Sequence, residues 1–187
     1  MRRGFKTEAN WYAREMRGEL QAAAHDPLCP WKLAEHLGFP IIPLSEFKEQ
    51  APEAVKYLES SGGQKDFSAI TLFSGTARLI VHNDSHSEER QAADIAHELA
   101  HGLLLHPSKP PFDAKGSRHY DKELEAEANW LGPALLVSEE AAMLIVSRQM
   151  PLVTACRVYG VSTQLMTMRL GVTGARKRFQ RRWDKAV

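Results

Sequence analysis

Residues 88–106 read EERQAADIAHELAHGLLLH, and this stretch predicts a single amphipathic helix. The side chains that should face the core recur at helical spacing on one side. They are Ala92, Ile95, Ala96, Leu99, Leu103 and His106. Ser85 and Glu88 fit a capping box, Ser87 is an alternative cap, and Pro107 follows the last turn. The sequence therefore predicts a helix with clear ends and one buried face.

The other face of this helix carries a His-Glu-x-x-His pattern, made by His97, Glu98 and His101. Residues four apart lie about one turn from each other on the same side of a helix. Both imidazoles could therefore bind one tetrahedral zinc ion, with Glu98 beside the open coordination position. The pattern is short and occurs by chance, but its place in a helix with an apolar opposite face favours a metal site over two unrelated histidines.

Length and composition are those of one globular unit. The chain has 187 residues, of which 43% are hydrophobic and 25% are charged. No apolar run is long enough to span a bilayer, and polar residues follow Arg2 and Arg3 where a signal peptide would be apolar. Cys29 and Cys156 match no metal or redox spacing, which favours free thiols in a reducing compartment. We therefore expect a cytoplasmic protein that does not bind a membrane.

Positive charge is concentrated at the C-terminus. Residues 174–187 contain six basic residues and one acidic residue, a net charge of +5, whereas the rest of the chain carries −4. Nucleic-acid binding through the body of the protein is therefore not indicated. The basic tail alone could contact DNA or an acidic partner, and a solvated or frayed terminus explains the same composition.

The remaining patterns predict an α+β fold that is mostly helical, with a small antiparallel sheet of about three strands packed on the His-Glu-x-x-His helix. Strands are expected at 39–44, 67–73 and 77–82, and the last two should form a hairpin. Prolines place the first strand at an edge. Further helices are expected at 5–24, 30–38, 52–60, 122–137, after Ser138, at 152–159 and at 162–170.

Two parts of the chain are expected to pack as one unit. Residues 1–138 contain the His-Glu-x-x-His helix and the strands. Residues 139–187 form a C-terminal helical extension that ends in the basic tail. Within it, the two helices on either side of Gly160 loosely resemble a helix-turn-helix.

A catalytic zinc ion needs a third protein ligand, and a glutamate on the 122–137 helix is the best candidate. A third histidine in an extended motif would need Gly at 104 and His at 107, where this chain has Leu104 and Pro107. Three carboxylates remain, at Glu123, Glu125 and Glu127. Glu127 shares its face with Trp130, Leu131 and Ala134, and a carboxylate among apolar neighbours needs a cation. We therefore predict Glu127 as the ligand, Glu123 as the fallback and Glu125 as solvated.

Taken together, these motifs resemble the ImmA/IrrE-type metallopeptidases, a gluzincin-like family. Its members combine His-Glu-x-x-His-x-x-x-x-His with a later helix that reads Glu-Ala-Asn-x-Phe-Ala-x-x-Leu-Leu-x-Pro. Here residues 97–106 read HELAHGLLLH and residues 127–138 read EANWLGPALLVS. Leu131 replaces the family's Phe and Ser138 its final Pro. Pro133 should kink or break the helix beyond Glu127.

The resemblance implies a zinc metalloendopeptidase, with manganese as the alternative metal. His97, His101 and Glu127 would hold the metal, and Glu98 would act as general base. Tyr120 and His119 are the candidates for stabilising the oxyanion, although both also suit ordinary loop positions. The strand 77–82 leads into the zinc helix, so its free edge is expected to bind the substrate as an added strand.

Family resemblance also suggests the substrate, a helix-turn-helix repressor of the XRE-like kind in a stress-response or mobile-element regulatory pair. A different class of function stays open. The protein could be a regulatory binding module, including a toxin–antitoxin component, that has a structural or latent zinc site and acts by binding a partner or DNA. The recognition-helix candidate at 162–170 has only one basic residue, Arg169, which disfavours DNA binding.

Overall fold

The structure, a computed structural model, describes residues 1–74, 77–107 and 121–183. Within these residues the chain forms nine α-helices and three strands, which confirms the α+β, mostly helical class. The helices are α1 (Phe5–Glu19), α2 (Pro30–His36), α3 (Pro52–Glu59), α4 (Glu88–Leu103), α5 (Lys122–Leu136), α6 (Glu139–Ser147), α7 (Leu152–Tyr159), α8 (Thr163–Val172) and α9 (Ala175–Trp183). The strands are β1 (Ile41–Pro43), β2 (Ala69–Ser74) and β3 (Ala77–His82).

The sheet has the order β1-β3-β2, so β3 is the central strand. β2 and β3 pair antiparallel as the predicted hairpin, with Thr71 opposite Ile80. β1 pairs parallel to β3, so the sheet is mixed and not purely antiparallel. The predicted free edge of β3 is wrong, because β1 covers that side of the strand. Among the residues that the structure describes, β2 is the outer strand on the other side.

Helix α4 ends earlier than predicted, at Leu103. The Leu105 N–H donates to the Gly102 carbonyl, and the His106 N–H donates to the His101 carbonyl at 3.0 Å. This is the hydrogen-bond pattern of a Schellman motif, in which the residue after the cap is left-handed. Leu105 has that conformation, with φ at 52°. The chain therefore turns back at Leu105, and His106 lies against the last turn of α4.

Helices α4 and α5 lie close together at Gly132. A Cβ atom at this position would lie 3.1 Å from both the Cα and the backbone N of His97. Glycine therefore permits a backbone-to-backbone approach that a larger residue would prevent. Pro133 does not break the helix, since α5 continues through it to Leu136, and the alternative of a kink stays a prediction.

The C-terminal end of α5 is held by two buried arginines. Arg17 donates to the carbonyls of Leu135 and Leu136, at 2.8 and 3.2 Å. Arg169 donates to the Val137 carbonyl at 2.9 Å. The last carbonyls of a helix have no partner within the helix, so these bonds stabilise that end. Burial lowers the pKa of each guanidinium to about 10.

Two apolar clusters share the α4–α5 pair. One joins α4 and α5 to α1, α2 and the sheet. The other joins the end of α5 to the C-terminal helices, and it includes Ala96 of α4 and Ala175 of α9. The basic tail is therefore not frayed throughout, because it forms α9, which packs on α6 and pairs Arg178 with Glu139. The domain boundary at 138 stays a prediction.

Among the described residues, no single helix is long and apolar enough to cross a membrane. Helices α5 and α6 reach that length and hydropathy only as a pair, and the pair is bent by 47°.

We expect Gly132→Val to destabilise the protein by about 2–3 kcal/mol, because the added side chain would push α5 away from the α4 backbone. Urea denaturation followed by circular dichroism measures this loss. The matched control is Gly18→Ala in α1, where an added Cβ meets nothing within 4 Å. The control should raise the free energy of unfolding by about 0.5–1 kcal/mol, as in an ordinary helix. Equal stability of the Gly132→Val variant and the parent protein would contradict the close crossing.

Candidate metal centre

The two histidines of the His-Glu-x-x-His pattern lie side by side on α4. Their Nε2 atoms are 3.1 Å apart, and their ring centroids are 4.8 Å apart. Both rings are partly exposed. The spacing of four residues on one helix accounts for this arrangement. The structure therefore brings His97 and His101 together as the sequence predicts.

Glu125 of α5 completes the cluster. One carboxylate oxygen lies 3.3 Å from His97 Nε2, and the other lies 3.6 Å from His101 Nε2. Among the described residues, these three form the group whose donor atoms could hold a metal ion. Zinc–ligand bonds of about 2.0–2.1 Å place the ligand atoms of a tetrahedral site about 3.3 Å apart. The observed separations fit that geometry, and two imidazoles with one carboxylate are a donor set that suits zinc.

Glu127, the predicted ligand, lies elsewhere. Its Oε1 accepts hydrogen bonds from Arg2 Nε at 2.9 Å and from the Arg2 backbone N–H at 3.1 Å. Its Oε2 is 3.8 Å from His106 Nε2. Glu127 is only 4% exposed. The sequence predicts a buried carboxylate beside a cation, and in the structure that cation is Arg2. The structure does not bring Glu127 to the histidine pair.

The crossing of the two helices explains why Glu125, and not Glu127, lies beside the histidine pair. Gly132 lies against His97, and residues four and seven positions earlier share its face of α5. These are Ala128 and Glu125. The prediction of Glu127 assumes that the buried side of α5 faces the histidines, but Leu131 on that side packs into the core. Glu125, predicted as solvated, is instead paired with both histidines and keeps a side chain that is 26% exposed. The fallback Glu123 is exposed.

Glu98 lies beside the cluster on α4 and is largely buried. Its Oε2 accepts a hydrogen bond of 2.6 Å from the Thr71 hydroxyl. Thr71 belongs to β2, so the outer strand of the sheet contacts the candidate site directly. The sequence analysis missed Thr71, because a threonine in a strand is ordinary and nothing in the spacing singles it out.

His106 is a second residue at the site that the sequence does not single out. A helix that continues to residue 106 predicts a structural role for His106, because its ring would point away from the histidine pair. The Schellman turn instead places its Nδ1 atom 2.8 Å from His101 Nδ1. Burial, followed by the charge of His101, lowers the pKa of His106. A neutral ring at this position can accept the Nδ1–H of His101.

The electrostatics of the cluster favour a cation. Hydrogen bonds from His101 and His97 hold the pKa of Glu125 well below its usual range. Burial opposes a charge on His97, but the carboxylates of Glu125, Glu98 and Asp94 outweigh it and raise the pKa of the imidazole. The negative charge that attracts a proton to His97 would equally attract a metal ion.

Asp94, one turn before His97 on α4, is paired with the His86 ring, with 3.3 Å between His86 Nδ1 and Asp94 Oδ2. His119 and Tyr120 lie outside the described residues, so their role at the oxyanion stays a prediction.

The geometry can be compared with known protein families. The model of the Peptidase M78 family, described as the IrrE N-terminal-like domain, matches residues 54–171, which is more than half of the chain. The matched range includes β2, β3, α4 and α5, and therefore every residue of the cluster. No curated protein and no solved structure matches the chain.

We expect Glu125→Ala to lose its bound zinc during gel filtration, because two imidazoles hold zinc weakly without a third ligand. Metal analysis by mass spectrometry measures the zinc content per chain. The matched control is Glu123→Ala, which removes the same charge from an exposed position two residues earlier and should keep the zinc. Full zinc content in the Glu125→Ala variant would exclude Glu125 as a ligand.

Proposed function

The chain belongs to the Peptidase M78 family of IrrE N-terminal-like domains, and from this premise we propose that it is a zinc-dependent endopeptidase that cuts a specific protein substrate. The observation that supports the proposal is the cluster of His97, His101 and Glu125 with the carboxylate of Glu98 beside it. Manganese is the alternative metal, since imidazole and carboxylate ligands bind both ions. We also propose a cytoplasmic location, where the free thiols of Cys29 and Cys156 stay reduced.

Glu98 has the position of a general base. Zinc at the cluster would supply Lewis acidity, which lowers the pKa of water and polarises a peptide carbonyl. The Thr71 hydroxyl holds one oxygen of Glu98, and the second oxygen can take a proton from the attacking water. Glu98 then delivers that proton to the leaving amine. The low exposure of Glu98 keeps this transfer away from bulk water.

The outer strand β2 offers a route for the substrate. β2 pairs with β3 on one side, and it contacts Glu98 through Thr71. An extended peptide that adds to the outer edge near Thr71 would pass the metal cluster, with main-chain hydrogen bonds positioning the scissile bond. This replaces the predicted route along β3. Such binding depends on the backbone more than on side chains, so selectivity requires a second contact elsewhere.

The substrate that we propose is a helix-turn-helix repressor. This part of the proposal rests on the family resemblance alone.

The competing function, DNA binding through α7 and α8, is less well supported. Arg169 is the single basic residue of α8, and it is buried with its guanidinium on the Val137 carbonyl. It therefore cannot reach a phosphate or a base from that position. Exposed basic residues of α9 stay available to an acidic partner.

We expect Glu98→Gln to keep its zinc but to lower the rate of peptide hydrolysis at least about 100-fold, because a glutamine cannot accept the proton. Zinc content and cleavage of a peptide substrate are measured on the same preparation. The control is Glu89→Gln, an exposed position on the same helix that should leave both unchanged. A fully active Glu98→Gln variant would mean that another group is the base.

We expect a single cut in the cognate repressor and little digestion of casein. The family resemblance suggests that the cognate repressor is encoded beside the peptidase. The experiment incubates the zinc-loaded protein with such a repressor and with unfolded casein, and it follows both by mass spectrometry. The Glu98→Gln variant controls for contaminating proteases. Rapid cleavage of casein at many sites would contradict narrow specificity, and an intact repressor would remove it as the substrate.

A further inference from the structure

The residues behind His101 form a connected polar chain that metal ligation does not explain. His101 Nδ1 lies 2.8 Å from His106 Nδ1, and His106 Nε2 lies 3.8 Å from Glu127 Oε2. Glu127 in turn accepts two hydrogen bonds from Arg2. His106 and Glu127 are both buried. Burying a histidine and a carboxylate costs free energy unless they are hydrogen-bonded or paired. Arg2 pairs with Glu127, whereas His106 Nε2 has no hydrogen-bond partner among the described residues.

The backbone turn after α4 aims His106 at His101. Leu105 holds the left-handed conformation that glycine usually supplies, although its side chain is 77% exposed and therefore contributes little packing. A non-glycine residue is disfavoured in this conformation, because its Cβ atom crowds the following carbonyl oxygen. The observed conformation brings the His106 ring back over the last turn of α4, 4.9 Å from the His101 ring between centroids.

Proton positions along this chain follow from the ligand geometry. His101 faces His97 and Glu125 through Nε2, so a neutral ligand ring carries its proton on Nδ1. That N–H can only be satisfied if His106 Nδ1 accepts it. The proton of His106 then lies on Nε2, which faces the Glu127 carboxylate. The distance of 3.8 Å is longer than a hydrogen bond, and the interaction is an electrostatic one between buried groups.

We propose that His106 and Glu127 are positioning residues, which hold His101 in the Nδ1–H form that presents Nε2 to the metal, and that Arg2 fixes Glu127 in turn. The inference rests on the proposed metal site and deepens it. Partners of this kind orient ligand histidines and raise their basicity. Glu127 thereby acts on the metal through two rings and does not bind it.

The proposal is tested by the zinc affinity of the full chain, which is measured by competition with a chromophoric chelator. His106→Ala should weaken zinc binding about 10–100-fold, as loss of an outer-shell partner does. His106→Asn should keep affinity within about threefold of the parent, because its side-chain oxygen can still accept the His101 Nδ1–H. Equal weakening in both variants would mean that the ring only fills space, and unchanged affinity in His106→Ala would overturn the proposal.

A variant of Glu127 distinguishes a positioning residue from a metal ligand. Glu127→Gln keeps the shape of the side chain and should weaken zinc affinity about tenfold while zinc still binds one per chain. The control Glu123→Gln should change nothing. Cobalt substitution gives a second readout, because the visible spectrum of the bound cobalt should be unaltered in Glu127→Gln. Loss of stoichiometric binding or an altered spectrum would make Glu127 a ligand and overturn the proposal.

Nitrogen-15 NMR of the zinc-loaded protein reports the ring protons directly. His106 should carry its proton on Nε2 in the parent protein, and a proton on Nδ1 would overturn the proposal. None of these readouts depends on peptide cleavage. A protein that shows the expected affinities but cuts no substrate would contradict the proposed function and leave the positioning role intact.

Discussion

The candidate site depends on one close contact, the crossing of α4 and α5 at Gly132. Without a side chain at this position, the α5 backbone approaches the α4 backbone at His97. The face of α5 that meets α4 is thereby defined, and Glu125 lies on that face two turns before the crossing. The histidine pair belongs to α4 and the carboxylate of Glu125 to α5, so the way the two helices cross sets the distance between them. A small change in the approach would separate them.

The two buried arginines stabilise the C-terminal end of α5, next to this crossing. Pro133 lacks an N–H and weakens the helix just after Gly132, yet α5 continues for another turn. Arg17 from α1 and Arg169 from α8 bind the carbonyls at the end of that turn. Each guanidinium stays charged near neutral pH even with a pKa near 10. Positive charge at a helix C-terminus is favourable, so two distant segments of the chain stabilise the helix that carries the carboxylate.

Local patterns in the sequence predict most of the elements, and tertiary geometry decides what they miss. Helix α7 has the predicted bounds, and the β2–β3 hairpin follows from alternation around a turn. The early end of α4 had no signal, because the residue in the left-handed position is Leu105 and not a glycine. The sequence also does not predict whether β1 pairs parallel or antiparallel, since a strand of three residues with a proline carries little information about pairing. His97 and His101 could be paired from their spacing alone, whereas Glu125 and His106 depend on how two segments meet.

The two glutamates show why burial by itself does not identify a metal ligand. A buried carboxylate requires a cation, and the proposed arrangement offers two kinds, the guanidinium of Arg2 and a metal ion held by the histidine pair. Glu127 is the more buried of the two glutamates and has the arginine. Glu125 keeps partial exposure, as the proposed activity requires if water and a peptide are to reach the site. A metal ligand at a catalytic site is therefore better sought at the rim of the core than at its centre, and the deeper carboxylate is the one suited to hold a ligand histidine in place.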